Sequence, residues 1–212
     1  MEKQKGCLPM SITFPTPIDT VEISSGPNKT IFYPQATIIQ DDGLQRYVNQ
    51  TIMQKTQELI NQQVDEMPST VVEMLGSYEL KNNQRQVLSL SLTNYTYHYH
   101  AAHGMTYKKS LTFDLDNGTL PNLKDLFKPG SDYITRISDL IKLQIKERDI
   151  QLLTDFTTIQ PNQDFYVADK TLVIYFQLYE ITPYVFGFPM FPISIYDLQD
   201  IIIESGPLGR MI

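Results

Sequence analysis

Cys7 is the only cysteine of the 212-residue chain, and tryptophan is absent. One cysteine excludes an intramolecular disulfide and a thiolate metal cluster. Lacking tryptophan, the chain is a weak candidate for a carbohydrate-stacking platform. No apolar run approaches the roughly 20 residues that a transmembrane helix needs. Only polar residues lie close before Cys7, where a lipidation signal would place an apolar stretch. On that physical signal the expectation is a cytoplasmic chain without an export signal. No block of lysine and arginine occurs, and the net charge is −7 with a pI near 4.9. Both argue against nucleic acid or an anionic membrane as the main partner and leave a basic protein electrostatically favoured. There is no GxSxG elbow, Walker A motif, GxGxxG fingerprint or HExxH pair, so no cofactor is expected.

What is present reads as a folded chain. A hydrophobic fraction of 42% with 19% charged residues supports a sizeable core and argues against wholesale disorder. The spacing of turns and apolar residues divides it into an irregular extension (1–17), one α+β domain (18–205) and a polar tail (206–212). Strands are expected at Thr20–Ser24 and Lys29–Ile39, with Pro34 disfavouring a central position for the second. Asp41-Asp42 can cap a helix from about Gly43 to Glu66 with a stripe of Leu44, Tyr47, Val48, Ile52, Leu59 and Ile60. Further strands follow at Thr70–Leu80, turning through Lys81–Arg85, then Val87–His100 and Met105–Leu115. Leu123–Phe127 is a helical turn. Ser131 is placed to cap a second helix whose stripe is Tyr133, Ile134, Ile137, Leu140, Ile141 and Ile145. Phe165–Val167 and Thr171–Ile181 follow, the latter apolar on both faces and so central. A last strand and short helix span about Ile193–Ile203. Successive hairpins interrupted by two long amphipathic helices predict an α+β fold, an antiparallel sheet packed against those helices.

The segment Asn94–Gly118 carries all three histidines and many tyrosines. If His100 pairs with Met105 across Ala101–Gly104, Leu92 faces Phe113, Leu90 faces Leu115, Asn94 faces Leu111 and His98 faces Tyr107. One face then collects Leu88, Leu90, Leu92, Leu111, Phe113 and Leu115, a coherent core side. Tyr95, Tyr97 and Tyr99 lie on the other, with Lys108 across from Tyr97. His98 and His100 fall on the core side near the tip. The tyrosines suit either recognition or cross-strand packing under a neighbouring element. His98, His100 and His103 could also be read as a three-imidazole zinc site, although this needs a flexible tip to converge. Candidate ligand-binding residues are Tyr95, Tyr97, Tyr99, His98, His100, His103, Tyr107, Glu180 and Tyr184. Glu180 stands just before, and Tyr184 within, a proline- and aromatic-rich loop at Thr182–Pro192.

The order SYEL (Ser77–Leu80), LSLSLTNYTY (Leu88–Tyr97), AAHGMTYKKSLTFDLDNG (Ala101–Gly118), LKDLFKPGSDY (Leu123–Tyr133) and FYVADKTLVIYFQLYEITPY (Phe165–Tyr184) resembles a bacterial domain family largely of unknown function. That domain forms the extracytoplasmic part of the lysozyme-sensing anti-sigma-V factor and also stands beside some peptidoglycan deacetylase domains. The resemblance covers about Thr30 to Ile203. It implies an α+β sensor or accessory module, a lysozyme-like or peptidoglycan-related ligand, and an extracytoplasmic setting at odds with the N-terminal reading. Such domains often have a glycine pair before Ala-His-Gly, where this chain has His100 and Ala101. The resulting expectation is a non-catalytic binding module. Its alternatives are a metal-assisted hydrolase or deacetylase using the histidines, and a structural or oligomerisation protein using the tyrosine stripe.

Overall fold

A computed structural model describes residues 15–37, 39, 41–65 and 68–212. Cys7 and most of the expected N-terminal extension lie outside the described residues. The chain forms β1 (Ile18–Ser24), β2 (Lys29–Ala36), α1 (Asp42–Asp65), β3 (Val71–Gln84), β4 (Val87–His98), β5 (Met105–Asp114), α2 (Tyr133–Glu147), β6 (Phe165–Ala168), β7 (Thr171–Tyr175) and β8 (Met190–Ser194). The strands make a five-stranded sheet in the order β1-β2-β3-β4-β5 and a three-stranded sheet in the order β6-β7-β8. The architecture is therefore mixed and rich in antiparallel pairs. It differs from the expected all-antiparallel sheet in two ways: there are two sheets, and β2 runs parallel to β3 over Lys29–Ile31.

That short parallel contact explains how Pro34 is accommodated. Pro34 pairs only with Thr20 of β1, beyond the stretch where β2 touches β3, so the missing amide costs no central ladder bond. Gly76 sits opposite Ile31, where a Cβ would lie 2.4 Å from the Ile31 side chain. β3 also continues four residues past the expected end at Leu80, because Arg85 and Gln86, both with positive φ, close a two-residue hairpin into β4.

Asp41 caps α1 by accepting from the amides of Gly43 and Leu44. Val48, Ile52, Thr56, Leu59 and Gln63 are the residues that α1 buries. Val48, Ile52 and Leu59 pack on Leu88, Leu90, Leu92, Leu111 and Phe113, one face of the large sheet. In α2 the cap is Asp132, which accepts from the Thr135 amide, and not Ser131, whose hydroxyl is buried without a partner. α2 buries Ile137 and Ile141 against the small sheet and the C-terminal residues, including Leu208 and Met211. Residues 206–212, expected as a polar tail, are thus partly core: Arg210 forms a 2.6 Å ion pair with the buried Asp114. β7, ending at Tyr175 and not Ile181, is buried on both faces and is the central strand of its sheet.

The opposite face of β4 meets the small sheet. The Val167 amide donates to Ser89 Oγ at 3.0 Å, and Ser110 donates to the Tyr175 hydroxyl at 3.0 Å. This stack places the β4–β5 loop beside the loop that follows β7.

Candidate functional site

The β4–β5 ladder runs Leu88↔Phe113, Leu90↔Leu111, Leu92↔Lys109, Asn94↔Tyr107 and Thr96↔Met105. Phe113 faces Leu88 where the pattern placed Leu92, a slip of four residues. An even slip leaves every side chain on its expected face, so the leucine-phenylalanine core side is as read. The tip is consequently longer, residues 99–104, and Lys108 stands across from Thr93 instead of Tyr97.

The three histidines separate. His98 is buried beneath the tip, with Nδ1 3.0 Å from the Ser69 carbonyl oxygen and Nε2 2.8 Å from that of Gln63. Beside it the Asn94 amide donates to Gln63 Oε1 at 2.6 Å, and Gln63 donates to the Met105 carbonyl at 2.9 Å. This buried polar layer ties the last turn of α1 to the hairpin. His100 does not stay on the core side. Its φ of 64° takes it out of the strand, and its exposed ring lies against Tyr99 at 3.9 Å between centroids. His103 is held elsewhere again, its Nδ1–H donating to the Gly104 carbonyl at 2.9 Å. Among the described residues no three His, Cys, Asp or Glu side chains converge, so the geometry does not assemble the three-imidazole centre.

Instead the tip assembles an aromatic surface. With Nδ1 committed to Gly104, His103 Nε2 accepts from the Tyr179 hydroxyl at 3.2 Å. The Tyr184 hydroxyl donates to the Gly104 carbonyl at 3.2 Å. Ring centroids lie 4.8 Å apart for His103 and Tyr184, and 5.4 Å apart for Tyr179 and Tyr184. Gly104 admits this closure because the Tyr95 ring lies where its Cβ would stand, 2.1 Å from the nearest ring atom. Burial, then the Glu73 carboxylate, holds the Tyr95 hydroxyl above the usual tyrosine range. Tyr97 donates to the Ala101 carbonyl at 3.1 Å and so closes the loop from within. Tyr99, Tyr179, Tyr184, Val185 and Phe186 remain exposed, Val185 at 86%.

Two candidates lie away from this surface. Tyr107 packs on the core side with the α1 cluster. Glu180 closes its own turn, accepting from the Gln177 amide at 2.7 Å and from Gln163 at 3.4 Å. Tyr179, the neighbour of Glu180, carries no mark in the sequence pattern. Its φ of 64° bends the turn that follows β7, and its hydroxyl meets His103. Val185 and Phe186 fall inside the aromatic-rich loop, which was the available signal for them.

Comparisons with known proteins find similarity along both halves of the chain. The family described as "Deacetylase PdaC" matches residues 28–106, and the family described as "Protein of unknown function (DUF3298)" matches residues 124–196. The Anti-sigma-V factor RsiV of Bacillus subtilis (strain 168) is 28% identical over 185 residues, 80% of this chain and 64% of its own length. The peptidoglycan-N-acetylmuramic acid deacetylase PdaC of the same organism is 24% identical over 175 residues, 78% of this chain and 36% of its own length. The matches thus span less than two thirds of either curated relative. A solved structure of a DUF3298-family protein from Bacteroides fragilis NCTC 9343 superposes with a TM-score of 0.66 at 15% identity, covering 92% of this chain and 97% of its own. Another, from Pseudomonas aeruginosa PAO1, gives 0.66 at 14%, with 94% and 97% covered. These two share the fold. The resemblance stated from the sequence motifs therefore holds. The aromatic surface draws on both matched segments, with His103 from the first and Tyr179 and Tyr184 from the second.

Proposed function

We propose that this chain, a relative of the anti-sigma-V sensor domain and of the deacetylase-associated domain, is a non-catalytic binding module. It recognises a protein of the lysozyme type, or a cell-wall-related ligand, through the surface formed by Tyr99, His103, Tyr179, Tyr184, Val185 and Phe186. One observation carries this reading: two segments 76 residues apart are locked together by the His103–Tyr179 contact, leaving large apolar and aromatic side chains exposed around it. Tyrosine rings on a braced loop offer contact area at low entropic cost, which suits recognition. A net charge of −7 favours a basic partner. Such ligands are met outside the cytoplasm, against the cytoplasmic expectation from the N-terminal residues, and fractionation of the native host decides between the two.

Calorimetric titration with lysozyme and, separately, with soluble peptidoglycan fragments tests the ligand. The reading expects saturable binding of one of them and a loss of at least about tenfold on Tyr184→Ala, as for a buried interface anchor. Absence of binding to both ligands, or unchanged affinity in the variant, contradicts it.

A further inference from the structure

β5 is the last strand of the large sheet, and its neighbours fix which of its backbone groups point outward. The Leu115 amide donates inward to the Gln86 carbonyl at 2.9 Å. Asp114 instead exchanges both of its backbone bonds with Thr119, at 2.9 and 3.0 Å. Even-numbered residues of β5 therefore present their amides and carbonyls away from β4, as the alternation of an antiparallel ladder requires. Lys108 obeys the same rule. Its amide donates to Gln177 Oε1 at 3.2 Å, and its carbonyl accepts from Gln177 Nε2 at 2.8 Å. A side-chain amide there takes the place of a neighbouring strand's peptide group.

Between these two closures stand Ser110 and Thr112. Among the described residues, their outward amides and carbonyls have no hydrogen-bond partner. A cleft of about 210 Å³ opens on this stretch, with Ser110 and Thr112 in its floor and Leu120, Asn122, Asn162 and Phe165 among its walls. That is far more room than one water needs. Unpaired main-chain groups on a sheet edge are a template for another strand, and folded proteins commonly cover them. Here the covering stops at each end of the cleft and leaves a gap two outward positions long.

We propose that this gap receives an extended peptide segment of a partner protein, added to the edge of β5 as a further short strand. Ser110 and Thr112 lie roughly 7 Å apart along the strand. Alternate residues of an extended segment have that spacing and can each exchange an amide and a carbonyl bond with them. The two closures show the chemistry that fits: a primary amide at Lys108 and a peptide group at Asp114, each giving one bond and taking one. An anion only accepts, so it would leave both carbonyls unpaired. The side chains of Ser110 and Thr112 are already engaged, with the Tyr175 hydroxyl at 3.0 Å and with Ser89 Oγ at 2.8 Å. Recognition therefore runs through the main chain. Thr112 is only 2% exposed, which restricts the residue facing it to a small side chain. The gap is separate from the aromatic surface, so failure of either assignment leaves the other standing.

The test is NMR of the whole ¹⁵N-labelled chain, with two probes. One is a blocked pentapeptide of alternating threonine and alanine; the other is the same peptide methylated on every backbone nitrogen. Without peptide, the Ser110 and Thr112 amides should exchange with solvent at least about tenfold faster than those of Leu111 and Phe113, which bond to β4. The first peptide should shift both resonances saturably and slow their exchange. The methylated peptide, which has no donors, should leave them unchanged. Ser110→Pro removes an amide that makes no bond to β4, so the ladder is spared. It should weaken binding of the first peptide at least about tenfold. If that variant does not fold, the two peptides on the parent chain decide. Equal responses to both peptides, no response to either, or unchanged affinity in Ser110→Pro overturns the assignment. Protection of both amides without peptide also overturns it, and protection that rises with protein concentration gives the edge to a second copy of the chain.

Discussion

Asp114 shows how much one residue can hold. Its side chain is 4% exposed and accepts from Arg210 at 2.6 Å, from the Asn117 side-chain amide at 2.8 Å, and from the amides of Asp116 and Asn117. Burial alone would raise its pKa, but Arg210 and Asn117 outweigh that and hold the carboxyl below the usual range. A lowered folded pKa contributes stability that is complete above the unfolded value and is lost as pH falls through the folded one. Arg210→Met should therefore cost roughly 3–5 kcal/mol at neutral pH, the scale for breaking a buried pair. Urea unfolding across pH 2–7 checks this. The deficit should shrink on the acid side, and a deficit independent of pH argues against the pair. His100 carries the other residue-scale prediction. It holds φ at 64°, where a non-glycine residue is strained by about 1–2 kcal/mol. His100→Gly should be neutral or stabilising by about 0.5 kcal/mol once its unfolded-state entropy is counted. A loss of more than about 1 kcal/mol in urea would show that the Tyr99–His100 ring contact outweighs the strain.

At the scale of elements, the periodic signals were readable and the non-local ones were not. The buried set of α2 and the core face of β4 and β5 followed from spacing alone, because a packed face leaves its period in the sequence. The hairpin register slipped by four residues because such a slip preserves the faces, and only the turn can then decide it. Neither Arg85-Gln86 nor His100 is a glycine, so the positive-φ positions that set the hairpin ends carry no compositional mark. The parallel β2–β3 contact was equally silent, since three paired residues leave no pattern. It does rest on Gly76, whose missing side chain makes room for Ile31. Gly76→Ala should destabilise by about 1–3 kcal/mol through overpacking. Hydrogen exchange should localise the loosening to β1 and β2, and uniform loss across both sheets would contradict that placement.

For the molecule as a whole, two sheets back to back bring together segments that lie far apart in the chain. That is why the candidate surface was only half legible. The hairpin tip and the aromatic loop could each be picked out by composition, but their contact through His103, Gly104, Tyr179 and Tyr184 exists only after β4 and β7 stack. On the other face of the sheet, packing against α1 holds His98 and Tyr107 on the core side, and Glu180 serves as a turn-closing group. The similarity to the anti-sigma-V factor and to the deacetylase points to a sensor or cell-wall-related module.

The central claim is that this surface is where the ligand sits. Its most direct test is one calorimetric comparison: the chain and its Tyr99→Ala/Tyr184→Ala variant, each titrated with lysozyme and with soluble peptidoglycan fragments under identical salt. The account predicts saturable binding of one ligand by the parent chain. It predicts a loss of at least about tenfold in the variant, with an unchanged far-UV circular dichroism spectrum showing that the fold is intact. Equal affinity in parent and variant, or no heat from either ligand, would contradict it.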